Sequence, residues 1–127
     1  MTGQKYEYGI DFQRVDAIDI HTHVEVDCHG HRAYDDVLVE AVGKYFKRGP
    51  GELSTVDALA EEYRRHNTAA VVFTIDARTG MRHEPNSIED LIAGAVRNND
   101  VLIPFGSVDP WDGRRAVHRV RELVRDY

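Results

Sequence analysis

Two histidines, His21 and His23, stand one residue apart at the end of the aliphatic run AIDIHTHVE (17–25). Residues i and i+2 of a β-strand point the same way, so both imidazoles can reach one point beyond the carboxyl end of a strand. Neutral imidazole is a common ligand of zinc and of similar divalent cations. The pair predicts a divalent metal site, with zinc as the first choice. Asp19, placed on the same face by this alternation, is a candidate for orienting the two ligands.

Other polar side chains follow the predicted strands. His29 and His31 form a second pair in the glycine-bearing loop CHGH, where solvated side chains are expected, with a position near a substrate as the alternative. Asp76, Arg78 and His83 follow the next strand, and for them too a solvated loop is the favoured interpretation over substrate contact. The sequence singles out no catalytic residue.

Alternating apolar patterns predict an α/β fold. The predicted strands are 16–21, 69–75 and 101–106, and the predicted helices are 36–47, ended by Gly49-Pro50-Gly51, 54–66, one from 86 or 87, and one after Asp109-Pro110. Each helix carries an apolar stripe at helical spacing. The expected caps are Ser54 (with Asp57 three residues later), Asn86 or Ser87, and Asp109. This order is typical of parallel strands joined by right-handed crossovers.

Composition narrows the class of protein. A chain of 127 residues, 42% of them hydrophobic, suits a single domain spanning 1–127. Its net charge of −6 argues against nucleic acid or an anionic membrane surface and favours a small-molecule substrate. A single cysteine and the lack of a signal-like N-terminus predict a cytoplasmic protein.

The segment IDIHTH resembles the first-strand motif of the amidohydrolase superfamily, which are metal-dependent (β/α)8-barrel enzymes. The later segments AAVVFTIDARTG and NNDVLIPFGSVDPWDGRRAV resemble the amidohydrolase-related branch that includes aminocarboxymuconate-semialdehyde decarboxylase-like enzymes. The resemblance covers residues 16–127 and implies that His21 and His23 are the first two metal ligands. Family members add a histidine from the fifth strand and an aspartate from the eighth, neither of which has a counterpart here. Since such a barrel takes about 250 residues, the chain is expected to be its N-terminal half, a partial TIM-barrel domain from the first strand to the third βα helix.

The function implied by the resemblance is that of a metal-dependent hydrolase, which acts on a small molecule through a metal-activated water. A non-oxidative decarboxylase of the same family is the alternative. Physical reasoning adds a further alternative, an inactive half-barrel that self-associates, because three parallel strands leave open edges and an uncovered face. A homo-oligomer is therefore expected. In one form of it, histidines from two chains would share a metal.

Overall fold

The computed structural model describes residues 5–47 and 53–127. Its three strands pair in parallel in the order β1-β2-β3, which confirms an α/β fold with βα units. The predicted helix stop at Gly49-Pro50-Gly51 lies outside these residues. The elements are β1 (Ala17–His23), α1 (Asp36–Tyr45), α2 (Val56–Arg65), β2 (Thr68–Phe73), α3 (Arg78–Met81), α4 (Ile88–Arg97), β3 (Leu102–Phe105), a 3-10 helix (Pro110–Asp112) and α5 (Arg114–Asp126).

The central strand β2 forms the middle of the hydrophobic core. Its residues Ala69, Ala70 and Val72 are fully buried, in keeping with a continuous apolar run. Helices α2 and α4 pack beside it and contribute Ala60 and Leu91, which are also fully buried. The stripes predicted for these two helices are therefore confirmed as core-forming.

Two other predicted stripes are largely exposed. Helix α1 has no buried residue, and its Tyr45 is 81% exposed. Helix α5 buries Ala116 and Leu123 but leaves Val124 77% exposed. Both helices have the predicted apolar periodicity, but within the described residues no element covers Tyr45 or Val124.

Two of the predicted helix starts need correction, and a third is confirmed. Thr55, not Ser54, caps α2: its side chain accepts a hydrogen bond from the Ala58 backbone N–H at 3.2 Å. Ser87, one of the two predicted alternatives, caps α4 by accepting from the Asp90 backbone N–H at 3.1 Å. Asp109 does cap, but it caps the 3-10 helix by accepting from the Trp111 N–H at 2.9 Å. Helix α5 follows only at Arg114, since Gly113 intervenes with a positive φ of 56°.

No helix in 5–47 or 53–127 is long and apolar enough to cross a membrane.

Candidate functional site

The histidine pair lies at the edge of the sheet where the three strands end. His23 is in register with Phe73 of β2, and Phe73 with Phe105 of β3. The Nε2 atoms of His21 and His23 are 3.0 Å apart, within hydrogen-bonding distance. The two rings therefore converge, as their i, i+2 spacing predicts. In the neutral pair one Nε2 donates its proton and the other accepts it.

The ring of Phe73 packs against both imidazoles. Its centroid is 4.5 Å from that of His23 and 5.2 Å from that of His21, and both contacts are edge-on. Burial, together with the nearby charge of His21, lowers the pKa of His23. Its Nδ1 is buried and has no partner among the described residues. His23 is thus held as a neutral imidazole, the form that binds a metal ion.

A β-bulge in β1 lies next to the pair. Asp19 pairs with Ala70 and Thr22 pairs with Val72, so three steps along β1 match two along β2. The extra residue shifts the alternation of β1, because side chains three apart would otherwise point to opposite faces. Asp19 and Thr22 instead reach the same group, the Tyr63 hydroxyl of α2, at 2.6 and 2.8 Å.

Asp19 contacts the main chain of His21 and not its ring. One carboxylate oxygen accepts from the His21 backbone N–H at 2.9 Å, and the other accepts from Tyr63. The Tyr63 hydrogen bond, helped by the one from His21, lowers the pKa of Asp19. Burial and then this carboxylate raise the pKa of Tyr63. The alternation-based placement of Asp19 beside the rings is thereby replaced by a contact through the backbone, and Tyr63 is a site residue that the sequence pattern missed.

One member of the second histidine pair, His31, contacts a histidine of another loop, His83. The rings of His31 and His83 stack with centroids 5.4 Å apart and planes 12° apart. His31 Nε2 bonds to the Glu84 carbonyl at 2.8 Å, and His83 Nε2 to the Arg32 carbonyl at 2.9 Å. These reciprocal bonds join the loop after β1 to the loop after α3. His31 and His83 are therefore a link between loops and not free side chains.

The remaining histidine of that loop, His29, is held through its main chain. Its backbone N–H donates to Asp27 Oδ1 at 2.9 Å, and the His31 N–H donates to the same oxygen at 3.0 Å. The buried Asp27 carboxylate thus shapes the turn.

Asp76 and Arg78 form an ion pair at the carboxyl end of β2. Arg78 Nη2 lies 3.0 Å from Asp76 and 3.1 Å from Asp112, so the guanidinium joins the loops after β2 and β3. The Asp76 backbone N–H also donates to Ser107 Oγ at 3.0 Å. The expectation of a solvated loop residue is wrong for Asp76, whose side chain is only 11% exposed, whereas the Arg78 side chain is 41% exposed.

Asp109 completes this connection from the β3 side. Its buried carboxylate accepts from the Thr79 N–H at 2.7 Å as well as from Trp111. The hydrogen bonds from Thr79, with a smaller contribution from the charge of Arg78, lower the pKa of Asp109. The carboxylate therefore stays ionised and fixes α3 against the 3-10 helix.

These contacts define what the site contains. Within 5–47 and 53–127, no group of three or more His, Cys, Asp or Glu side chains is arranged to hold a metal ion. The histidine pair supplies two nitrogen donors. The metal role of His21 and His23 remains a prediction.

No protein-family model matches the chain, and no curated protein or solved structure matches it either. The fold and the site define a class only: an α/β chain with a parallel sheet and two convergent imidazoles at the carboxyl edge of that sheet.

Proposed function

We propose that this chain forms the first βα units of a metal-dependent (β/α)8 barrel of the amidohydrolase-related type, in which His21 and His23 bind one divalent cation, zinc first. The observation that carries the proposal is the 3.0 Å approach of the two Nε2 atoms at the carboxyl end of the parallel sheet. Barrel enzymes place their chemistry at that end. The sequential parallel order β1-β2-β3 and the resemblance of IDIHTH support the same assignment.

The donor set fits such an ion. Two nitrogens 3.0 Å apart are close enough to bind one cation at the zinc–imidazole distance of about 2.0 to 2.1 Å. Binding through Nε2 leaves Nδ1 to carry the proton; in His23 the buried Nδ1 has no acceptor among the described residues, so packing against Phe73 orients the ring. Stable zinc sites usually have three or four protein ligands. In the 127-residue chain we propose that water or donors from a second copy fill the remaining positions.

The chain's own residues prepare the pair in two ways. Phe73 packs edge-on against both rings, and His23 is half-buried there. Asp19 holds the backbone of His21. A bound cation would supply Lewis acidity and would lower the pKa of a bound water molecule. Hydrolysis of a small molecule is the reaction we propose, and non-oxidative decarboxylation is the alternative within the same family.

Self-association of an inactive half-barrel is a second candidate, and a separate observation favours it. Ile20 of β1 is 77% exposed and Phe105 of β3 is 57% exposed, although both belong to the sheet. Association of two chains through the sheet would remove these apolar side chains from water. The proposed homo-oligomer would cover them.

Metal titration of the 127-residue chain tests the first proposal. Zn²⁺ or Co²⁺ should bind at about one ion for each completed site, and His21→Ala and His23→Ala should each abolish binding. His118→Ala is the matched control, because His118 is an exposed histidine on α5. Binding that persists in both pair variants, or that disappears in the control, would contradict the assignment.

Sedimentation of the same samples separates the alternatives. Association that depends on protein concentration but not on metal would support the inactive half-barrel. Dimerisation that requires metal and is lost in His21→Ala would place one ion between two chains. Release of carbon dioxide, as opposed to cleavage of an ester or amide, would favour the decarboxylase.

A further inference from the structure

The bulge in β1 decides which way the histidines face. Upstream of it, Asp19 points towards α2, where it meets Tyr63. A regular strand would carry His21 and His23 to that same side, since all three are two residues apart. The extra residue between Asp19 and Thr22 reverses the alternation, so that Thr22 is buried while His21 is exposed. The histidine pair consequently lies on the side of the sheet opposite to Tyr63 and α2.

Both ends of the bulge are bonded to one atom. The Tyr63 hydroxyl donates to Asp19 Oδ2 at 2.6 Å. A carboxylate only accepts, so the remaining contact, with Thr22 Oγ1 at 2.8 Å, is one in which Thr22 donates to Tyr63. Asp19 in turn accepts from the His21 backbone N–H, which lies inside the bulge. The hydroxyl therefore fixes the strand just before and just after the residue that carries the first imidazole.

The hydroxyl is itself held in place. Tyr63 lies on α2, whose first turn is capped by Thr55, and its ring packs against the hydrophobic core. A rigid helix thus provides the fixed point. Without it the strand keeps the same sequence but loses the bonds that select the bulged register.

We propose that Tyr63 is a positioning residue for the histidine pair: its hydroxyl locks the β1 bulge and so sets the approach of His21 to His23. This inference rests on the proposed metal site for its functional meaning. Its geometric content, the dependence of the ring-to-ring hydrogen bond on Tyr63, is independent of any metal.

The test compares Tyr63→Phe with Tyr6→Phe. Each variant keeps the ring and removes one bonded hydroxyl; that of Tyr6 donates to the Leu102 carbonyl at 2.8 Å, away from the pair. The first readout is ¹⁵N NMR of the metal-free imidazoles, in which scalar coupling across the Nε2–H···Nε2 bond reports the approach of the rings. We expect Tyr63→Phe to lose this coupling and Tyr6→Phe to retain it. Urea unfolding of both variants checks that the fold is intact.

The second readout is metal affinity. Groups that orient metal ligands typically change affinity by about 10- to 100-fold. A loss of that size in Tyr63→Phe, with less than about a twofold change in Tyr6→Phe, is expected on the same grounds. Should Tyr63→Phe not fold, Thr22→Val removes the other hydroxyl of the network at nearly constant volume and should also lose the coupling.

The outcomes separate the two proposals. Unchanged coupling in a folded Tyr63→Phe or Thr22→Val overturns the positioning role, whatever the metal data show. If the wild-type chain binds no metal yet loses the coupling in Tyr63→Phe, the metal site fails and the positioning of the pair stands.

Discussion

The contact between α2 and α4 at Gly94 gives a sharp test of the packing. A Cβ atom placed on Gly94 would lie 2.4 Å from Val56 Cγ1 and 2.7 Å from Val56 Cβ. Non-bonded carbons normally keep about 3.5 to 4.0 Å, so Gly94→Ala requires the two helices to separate by about 1 Å. Val56 is only 3% exposed and belongs to the core, which leaves it little room to move.

The expected cost follows from two opposing effects. Overpacking a close-packed core costs about 1 to 3 kcal/mol. Replacing glycine by alanine within a helix returns up to about 1 kcal/mol. Because the clash involves Cβ of Val56 as well as a methyl group, we expect the upper part of the first range and a net loss of about 1 to 2 kcal/mol. Urea unfolding followed by circular dichroism measures it.

A matched glycine provides the control. Gly80 lies in α3, and no atom lies within 4 Å of the position that a Cβ atom would occupy there, so Gly80→Ala should leave stability unchanged or slightly higher. Adding Val56→Ala should reduce the cost of Gly94→Ala, since it removes the nearest atom. A Gly94→Ala chain as stable as wild type, with no coupling to Val56, would refute the close approach of α2 and α4.

Further predictions concern the core and the pH dependence. Leu91→Ala, at a fully buried position, should lower the free energy of unfolding by about 2 to 5 kcal/mol, whereas Val124→Ala at an exposed one should change it by less than about 0.5 kcal/mol; urea unfolding compares them. Because burial lowers the pKa of His23, the unfolded chain binds more protons as the pH falls below about 6.5, and stability should decrease there. Unfolding at pH 7.5 and 5.5 should show a smaller difference in His23→Asn. The hydrogen bond from Arg97 lowers the pKa of Asp57, so this stabilisation is present above the ordinary value of 3.8 and is lost as the pH falls below it. The stability difference between wild type and Asp57→Asn should accordingly shrink in acid titration.

The elements with the strongest patterns are the ones that the sequence predicts well. A continuous apolar run predicts β2, and a complete apolar stripe predicts α4. In both elements the residues that are apolar in the pattern are the ones that are buried in the structure. The apolar stripe of α1 predicts the helix correctly, but it does not predict that no residue of the helix is buried. Periodicity records which side of a helix is apolar and contains no information on what covers that side.

Helix starts were less predictable for a different reason. Ser54 and Thr55 are both good caps, and only the three-dimensional path selects between them. In the structure the Ser54 N–H donates to Glu25 at 3.3 Å, which places Ser54 in the contact with the loop after β1, and the next residue, Thr55, is the one that caps. The same competition separates Asn86, whose amide donates to the Val24 carbonyl at 3.0 Å, from Ser87.

The candidate site also has one part that the sequence predicts and one part that it does not. The i, i+2 spacing is local, and it suffices to predict that His21 and His23 converge. The bulge is not a local feature, because it depends on pairing with β2, about fifty residues further along the chain. Between the two paired positions, β1 has one residue more than β2. Any prediction from alternation therefore places Asp19 beside the rings, while the pairing sends it to Tyr63.

This difference has a chemical consequence. In a regular strand, Asp19 would lie on the same face as the two imidazoles. In the bulged strand the Asp19 carboxylate instead accepts hydrogen bonds from the Tyr63 hydroxyl and the His21 backbone N–H. Phe73 takes the place beside the rings, and burial then favours neutral His23. The bulge thus leaves His23 beside an aromatic ring, and the neutral imidazole that burial favours there is the nitrogen donor that the proposed metal site requires.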